Sequence, residues 1–364
     1  MKALFRYCII FVYSFLLSAC VSTTQPSAKK YVTDNGRVFG TFYQIKYASN
    51  GKDVKTEYLA ALAAVDTALS TFNKQSTITR VNLSSDSVFL TDKDSLFIKV
   101  YNKACEISTI TNGAFDITVA PLVNAYGFGF DPDRSTPDSV LAELRNYVGW
   151  KKVSLYLRVS DNKPGMYDYV DWKKESLSPV GYIKKENPNI KLDASAIAKG
   201  FGSDEVARVL RQNGINDFMV EVGGEVVCSG VNDKGKVWSI GINKPIEDST
   251  MQHTNELQRV VQLDGKALAT SGNYLQYYYK NGTKYAHTID PCSGKPVNHT
   301  LLSSSIIADD CMTADALATA CMVMGVDSAL SLIESLPNVE GYFIYAGNNG
   351  EYLEKHTNGF KFKQ

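Results

Sequence analysis

The chain has 364 residues, 44% of them hydrophobic, enough to bury one large core or two modest ones. Its 38 Lys and Arg balance 38 Asp and Glu, so the basic excess of a nucleic-acid binder is missing, and zero net charge is no evidence of an acidic or basic substrate. No heptads, long charge blocks or repeats of about 20–50 residues interrupt the pattern.

The N-terminus reads as a targeting segment. Lys2 and Arg6 precede an uncharged run from Tyr7 to Leu17. That run is shorter than the about 20 apolar residues needed to span a bilayer, and it fits a signal-peptide core. It ends in Leu17-Ser18-Ala19-Cys20, which resembles the bacterial lipoprotein box. The expectation is a signal over 1–19, lipid on Cys20, and a flexible tether through residue 36, rich in Ser, Thr, Lys and Gln. An ordinary cut after Ala19 is the plainer alternative. Of seven cysteines, Cys8 leaves with the signal and Cys20 carries lipid. Cys105, Cys228, Cys292, Cys311 and Cys321 remain, an odd number without C-x-x-C, so neither a disulfide nor a zinc site is demanded. Cys311 and Cys321 are expected simply to pack.

Further along, alternation predicts a strand over Val38 to Ala48, and Leu59, Leu62, Val65 and Leu69 mark one face of a helix over 56–70. A second helix spans Ser95 to Thr109 and stops before Gly113. Thr136-Pro137 opens a third that closes near Gly149, with Thr as cap and Pro in the first turn. Lys152 to Val159 is a strand. Residues 160–190 are polar, carry three Pro, and read as a loop or hairpin excursion. A helix follows from about Ala194 to Gln212. Strands are expected over Phe218 to Cys228, Val237 to Ile242, Val260 to Leu263, Leu275 to Tyr279 and Leu302 to Ala308. Thr313 to Met324 and 328–336 are helices, the latter capped by Asp327, and Gly341 to Tyr345 is a late strand. Strands come in runs with helices between, so the class is α+β.

Several segments carry possible chemistry. Leu192-Asp193-Ala194-Ser195-Ala196-Ile197-Ala198-Lys199-Gly200-Phe201-Gly202 puts an acid, a Lys and two Gly at a helix start. Each Gly costs about 1 kcal/mol against Ala in a helix, so something approaches closely. A phosphate at the helix start is one possibility, and tight packing on a sheet is the other. Asp315 and Thr319 lie four apart on one helix face. A carboxylate with a hydroxyl suits Mg²⁺, although such a pair also forms local helix hydrogen bonds. His287, just before Asp290-Pro291 and Cys292 to Pro296, is suited to proton transfer or to a structural role. Asn112-Gly113-Ala114-Phe115-Asp116 with Tyr126-Gly127-Phe128-Gly129 could admit a flat ring, or could be a helix stop with a packed loop. Glu221-Val222-Gly223-Gly224-Glu225 reads as a turn or bulge.

Taken in order, these segments resemble the ApbE family of FAD:protein FMN transferases. The matching pieces are Phe39-Gly40-Thr41, Leu69-Ser70-Thr71-Phe72 to Asn82, Gly113 to Asp116, Leu192 to Gly202, Val222 to Gly224, Trp238 to Pro245, Ala269 to Gly272, His287 to Pro296 and Ala314 to Thr319, covering roughly residues 37–346. The resemblance implies a T-fold-like α+β domain over 37–364, with mixed or antiparallel sheets, packed helices and FAD in a deep cleft. It assigns Phe39, Phe72, Ala114, Phe115, Asp116, Asp193, Lys199 and Ile289 to the FAD site. Asp315, Thr319 and the carbonyl of Ala196 would hold Mg²⁺, and His287 would be the base. The implied reaction transfers FMN from FAD, as substrate, to a Thr or Ser of an acceptor, an exported or membrane redox subunit, with release of AMP. The implied location is the periplasmic side of a bacterial membrane, on a lipid anchor. Two departures stand out: Phe39 replaces a frequent Met, and Phe72 replaces a frequent Tyr and cannot donate a hydrogen bond. A Mg²⁺-dependent FAD pyrophosphatase and a non-enzymatic flavin-binding lipoprotein are the alternatives.

Overall fold

The structure, a computed structural model, describes residues 29–129, 134–158, 164–166, 180–246, 256–274, 276–280 and 282–363. The signal segment and Cys20 lie outside the described residues, as does Leu275.

In chain order the strands are β1 (Tyr31–Val38), β2 (Thr41–Ala48), β3 (Ser87–Leu90), β4 (Val153–Arg158), β5 (Pro164–Met166), β6 (Val180–Lys185), β7 (Phe218–Val222), β8 (Glu225–Ser229), β9 (Trp238–Asn243), β10 (Leu257–Leu263), β11 (Ala267–Gly272), β12 (Tyr277–Lys280), β13 (Thr283–Ala286), β14 (Ile289–Asp290), β15 (Lys295–Pro296), β16 (Leu301–Ala308), β17 (Glu340–Ala346) and β18 (Tyr352–His356). The α-helices are α1 (Lys55–Leu69), α2 (Thr77–Leu83), α3 (Ser95–Ile110), α4 (Ala120–Ala125), α5 (Asp138–Leu144), α6 (Ala198–Gln212), α7 (Cys311–Met324) and α8 (Val326–Ser335).

An eight-stranded sheet in the order β1-β2-β7-β8-β11-β16-β17-β18 forms the frame, and its ladders are antiparallel. Both of its faces are covered. Val220, Val222, Val227 and Ala267 pack toward α1 and α6 with Leu62, Val206 and Leu210. Leu268, Ile307 and Tyr342 point the other way, onto the β9–β10 hairpin and Phe360. This explains why β8 carries Val226, Val227 and Cys228 in an unbroken apolar run rather than in alternation. α3, α7 and α8 build the largest apolar cluster against β16, β17 and a second sheet, β3-β6-β4-β5.

The class is α+β, as expected, and the described ladders are antiparallel throughout. Several boundaries differ from the sequence reading. Residues 31–36, assigned to the tether, form most of β1, because that segment finds a partner in β2. The strand expected over Phe218 to Cys228 is a hairpin. It breaks at Gly223-Gly224, whose φ values of +63° and +102° supply the left-handed turn. The third helix is only seven residues long; Pro137 sits at the cap itself, and two 3₁₀ turns follow. Gly325, not Asp327, precedes α8. α6 begins at Ala198, so Ser195 to Ile197 form a separate turn ahead of it. The 160–190 excursion contains β5 and β6, which flank β4.

Candidate active site

The site forms where α6, α7, the β7–β8 turn and the end of β11 meet. α7 is aimed by its N-terminus. Asp310 accepts the Thr313 N–H at 2.7 Å as cap. Asp204 of α6 accepts the N–H groups of Cys311 and Met312 at 2.9 and 2.8 Å. Burial, and then the Asp310 charge, push the Asp204 carboxyl up to about 7.

The two helices meet backbone to backbone at Gly200. A Cβ there would lie 2.3 Å from the Cys311 carbonyl oxygen and 2.8 Å from Asp315 Cβ. A Cβ on Gly202 would lie 2.6 Å from the Phe39 ring. The close approach implied by these two glycines is therefore made by protein, not by phosphate. The amides of Ala198, Gly200 and Phe201 also have protein acceptors in Ala194, Asp315 and Ile197.

Asp315 is buried on α7, and its Oδ2 accepts the Gly200 N–H at 2.9 Å. Thr319, one turn on, does not bond back to Asp315; its Oγ1 pairs with Ser271 Oγ of β11 at 3.2 Å. The turn holding Ala196 precedes Gly200 directly. Lys199 Nζ donates to Glu225 Oε1 at 2.6 Å. Burial, and then the Asp315 charge, push the Glu225 carboxyl up to about 8. Burial also raises Asp315, held back by Lys199 and the Gly200 amide. Burial works against the Lys199 charge, but Asp315 and Glu225 hold its pKa above the ordinary value. Two carboxyl groups thus face one ammonium. These hard oxygen donors, whose ionised form a bound cation would favour, fit a divalent metal. No cluster of three or more His, Cys, Asp or Glu suited to a metal occurs among the described residues. Asp315, the Thr319 hydroxyl and a nearby backbone carbonyl are hard oxygen donors of the kind Mg²⁺ accepts.

His287 joins this pocket through β11. Asn273, just past the strand, accepts the Thr288 hydroxyl at 2.6 Å, while Ser271 reaches Thr319. The Gln276 carbonyl accepts the His287 N–H at 3.1 Å and faces ring Nδ1 at 3.3 Å. Burial lowers the imidazole pKa below its usual value, and the Lys199 charge lowers it further, against the raising effect of the Gln276 carbonyl.

A cavity of about 1310 Å³ opens alongside, bordered by Asn112, Asp116, Tyr126, Tyr278, Tyr285 and Cys292 among others. The Tyr278 and Tyr285 rings stack at 5.2 Å, and Phe128 packs against both Tyr278 and His287. Asp116 lines the cavity but is buried; its oxygens accept from the amide and hydroxyl of Thr118 and from the Trp150 N–H at 2.6–2.8 Å. Burial raises its pKa, and those donors oppose the rise. Asp193 donates its amide to the Ile117 carbonyl at 2.7 Å, tying this segment to the turn before α6, and its carboxylate accepts from Ser195.

The remaining assigned residues divide. Ala114 and Phe115 are buried in the core around α3, and Ile289 packs with Leu122 and Tyr126 beneath the cavity. Phe39 sits at φ +52° in the β1–β2 turn with its ring against Gly202, in packing contact with the core. Phe72 is 80% exposed just past α1. Glu225, Ser271 and Asn273 were not singled out as site residues. Glu225 looked like part of a turn, and only its position against Lys199 reveals it.

This fold and site define an α+β protein with a carboxylate–ammonium cluster, a lone imidazole and a large neighbouring cleft. The chain belongs to the ApbE family, whose model matches residues 39–343. It is 34% identical to a protein from Haemophilus influenzae named FAD:protein FMN transferase, over 99% of this chain and 98% of that one. A Vibrio cholerae protein of the same name is 33% identical over 88% of each. Among solved structures, "Flavin Transferase ApbE from Vibrio cholerae" superposes with a TM-score of 0.74 at 32% identity, covering 91% of this chain and 98% of that one. The apo flavinyl transferase ApbE of Pseudomonas stutzeri gives 0.74 at 26% identity, covering 90% and 95%.

Proposed function

We propose that this chain is a Mg²⁺-dependent FAD:protein FMN transferase that leaves FMN in phosphoester linkage on a Thr or Ser of an acceptor protein and releases AMP. The observation that carries this reading is the pair of links from β11, Ser271 to Thr319 and Asn273 to Thr288, which join His287 to the acidic pocket on α7. The names of the similar proteins agree with it.

Gln276 offers only a carbonyl to Nδ1, so Nδ1 carries the ring proton and Nε2 keeps a lone pair. Nε2 takes the proton of the acceptor hydroxyl. The oxygen forms a bond to the phosphorus on the FMN side, the bond from that phosphorus to the bridging oxygen breaks, and AMP leaves with that oxygen and the electron pair. A charged Lys199 offsets the negative charge of the diphosphate. Asp315, Thr319 and the Ala196 carbonyl would hold Mg²⁺, which when bound supplies charge neutralisation at the diphosphate. The cleft beside Asp116, Tyr278 and Tyr285 has room and flat surfaces for an isoalloxazine or adenine ring.

The N-terminal segment belongs to the same proposal: export, lipidation of Cys20 and display on the periplasmic side of a bacterial membrane, where an exported or membrane redox subunit is the acceptor. Radiolabelled palmitate should enter the wild-type chain and not the Cys20→Ala variant; label in both would remove the anchor. The activity is tested with FAD, Mg²⁺ and a candidate acceptor, followed by in-gel flavin fluorescence. A fluorescent acceptor band supports transfer. Free FMN and AMP without one indicate hydrolysis, and intact FAD indicates a binding protein.

A further inference from the structure

Glu225 is the buried acid of the site that neither the sequence patterns nor the reaction above assigns. It is 1% exposed and opens β8 immediately after the Gly223-Gly224 turn. That turn is built for close approach. A Cβ on Gly223 would fall 2.8 Å from Thr41 and 3.0 Å from Lys199 Cδ. Ser203, one turn beyond Lys199 on α6, donates its hydroxyl to the Glu225 carbonyl at 2.9 Å and pins the strand end to the helix. Glu225 Oε1 then takes Lys199 Nζ at 2.6 Å. Oε2 is buried and no other residue hydrogen-bonds to it. A buried carboxyl oxygen without a partner in another residue is unfavourable, and a purely structural pair would be expected to satisfy both oxygens.

We propose that Glu225 is a positioning residue for the transferase reaction, holding the Lys199 side chain in place to receive the FAD diphosphate. The inference rests on the flavin-transfer reading of this site. The geometry makes the role specific. Lys side chains are flexible and rich in rotamers, and a flexible ammonium loses more on binding a phosphate than one already fixed. A charge-assisted bond at 2.6 Å supplies that fixation before substrate arrives. Charge bookkeeping agrees: with Asp315 engaged by the Gly200 amide, Glu225 is the acid that hydrogen-bonds the ammonium.

The test is a double-mutant cycle read as FAD affinity, by quenching of flavin fluorescence without Mg²⁺, on wild type, Glu225→Gln, Lys199→Met and the double variant, with thermal melting of each. Glu225→Gln preserves shape and is expected to weaken FAD binding about tenfold with an unchanged melting point. In the Lys199→Met background the same substitution should add less than twofold. Glu225→Asp, which keeps the carboxyl, should recover part of the affinity. Equal affinity for wild type and Glu225→Gln overturns the proposal, as does a tenfold loss that persists in the Lys199→Met background. If Glu225→Gln melts early, the Glu225→Asp arm decides: no recovery relative to Gln overturns it. A wild-type chain that binds no FAD sinks the flavin reading itself, an outcome distinct from the others.

Discussion

At the scale of single residues, the site works by disagreement between environment and charge. Burial lowers the His287 pKa, with Lys199 adding to the effect, which favours the neutral state a proton acceptor needs. Its folded pKa lies below the usual imidazole value, so the acid limb of kcat/KM should fall below about pH 6.5. His287→Ala should lose at least about 100-fold in transfer, the scale of general-base catalysis, with FAD affinity within a few-fold of wild type. Near-normal transfer in that variant would leave the imidazole a structural role. Asp315→Ala should remove the dependence of turnover on Mg²⁺, measured as AMP release across a metal titration. A wild-type response would detach the metal from α7.

At the scale of elements, the critical contact is α6 against α7. Their backbones touch at Gly200, so Gly200→Ala must push the helices apart and cost about 1–3 kcal/mol. That should appear as a lower urea midpoint. It should also weaken Mg²⁺ activation, because the shift moves Asp315 from the turn holding Ala196. Much of this was legible in the sequence. Two glycines inside a helix announced a close approach, and Asp315 with Thr319 announced a common face. What approached was not legible, since nothing local in Gly200 or Gly202 tells a neighbouring helix or the Phe39 ring from a ligand. The Gly223-Gly224 break in the strand expected over 218–228 was hidden by the apolar run on either side. β1 was hidden because its polar residues resemble a tether until β2 pairs with them. Glu225, Ser271 and Asn273 gain meaning only from partners distant in sequence, such as Thr319 for Ser271.

At the scale of the whole molecule, buried acids set the pH response. Glu225 (about 8), Asp204 (about 7), Asp315 and Asp116 all have folded pKa values above their ordinary ones. The folded chain therefore holds more protons than the unfolded chain between about pH 4 and 8. Stability conferred by these groups is full below their unfolded values and is lost as pH rises through the folded ones. The melting point of the metal-free protein should fall from pH 5 to pH 8, partly offset by His287, whose lowered pKa acts in the opposite sense. Mg²⁺ should restore more of it at pH 8 than at pH 5, because the carboxylates it needs are then ionised. The most direct test of the central claim is the intact mass of an acceptor subunit co-expressed with this chain. The account expects an acceptor heavier by one FMN phosphoester, lost when its target Thr or Ser becomes Ala and absent with the Asp315→Ala enzyme. An acceptor of unchanged mass beside an active enzyme that releases FMN and AMP would contradict it.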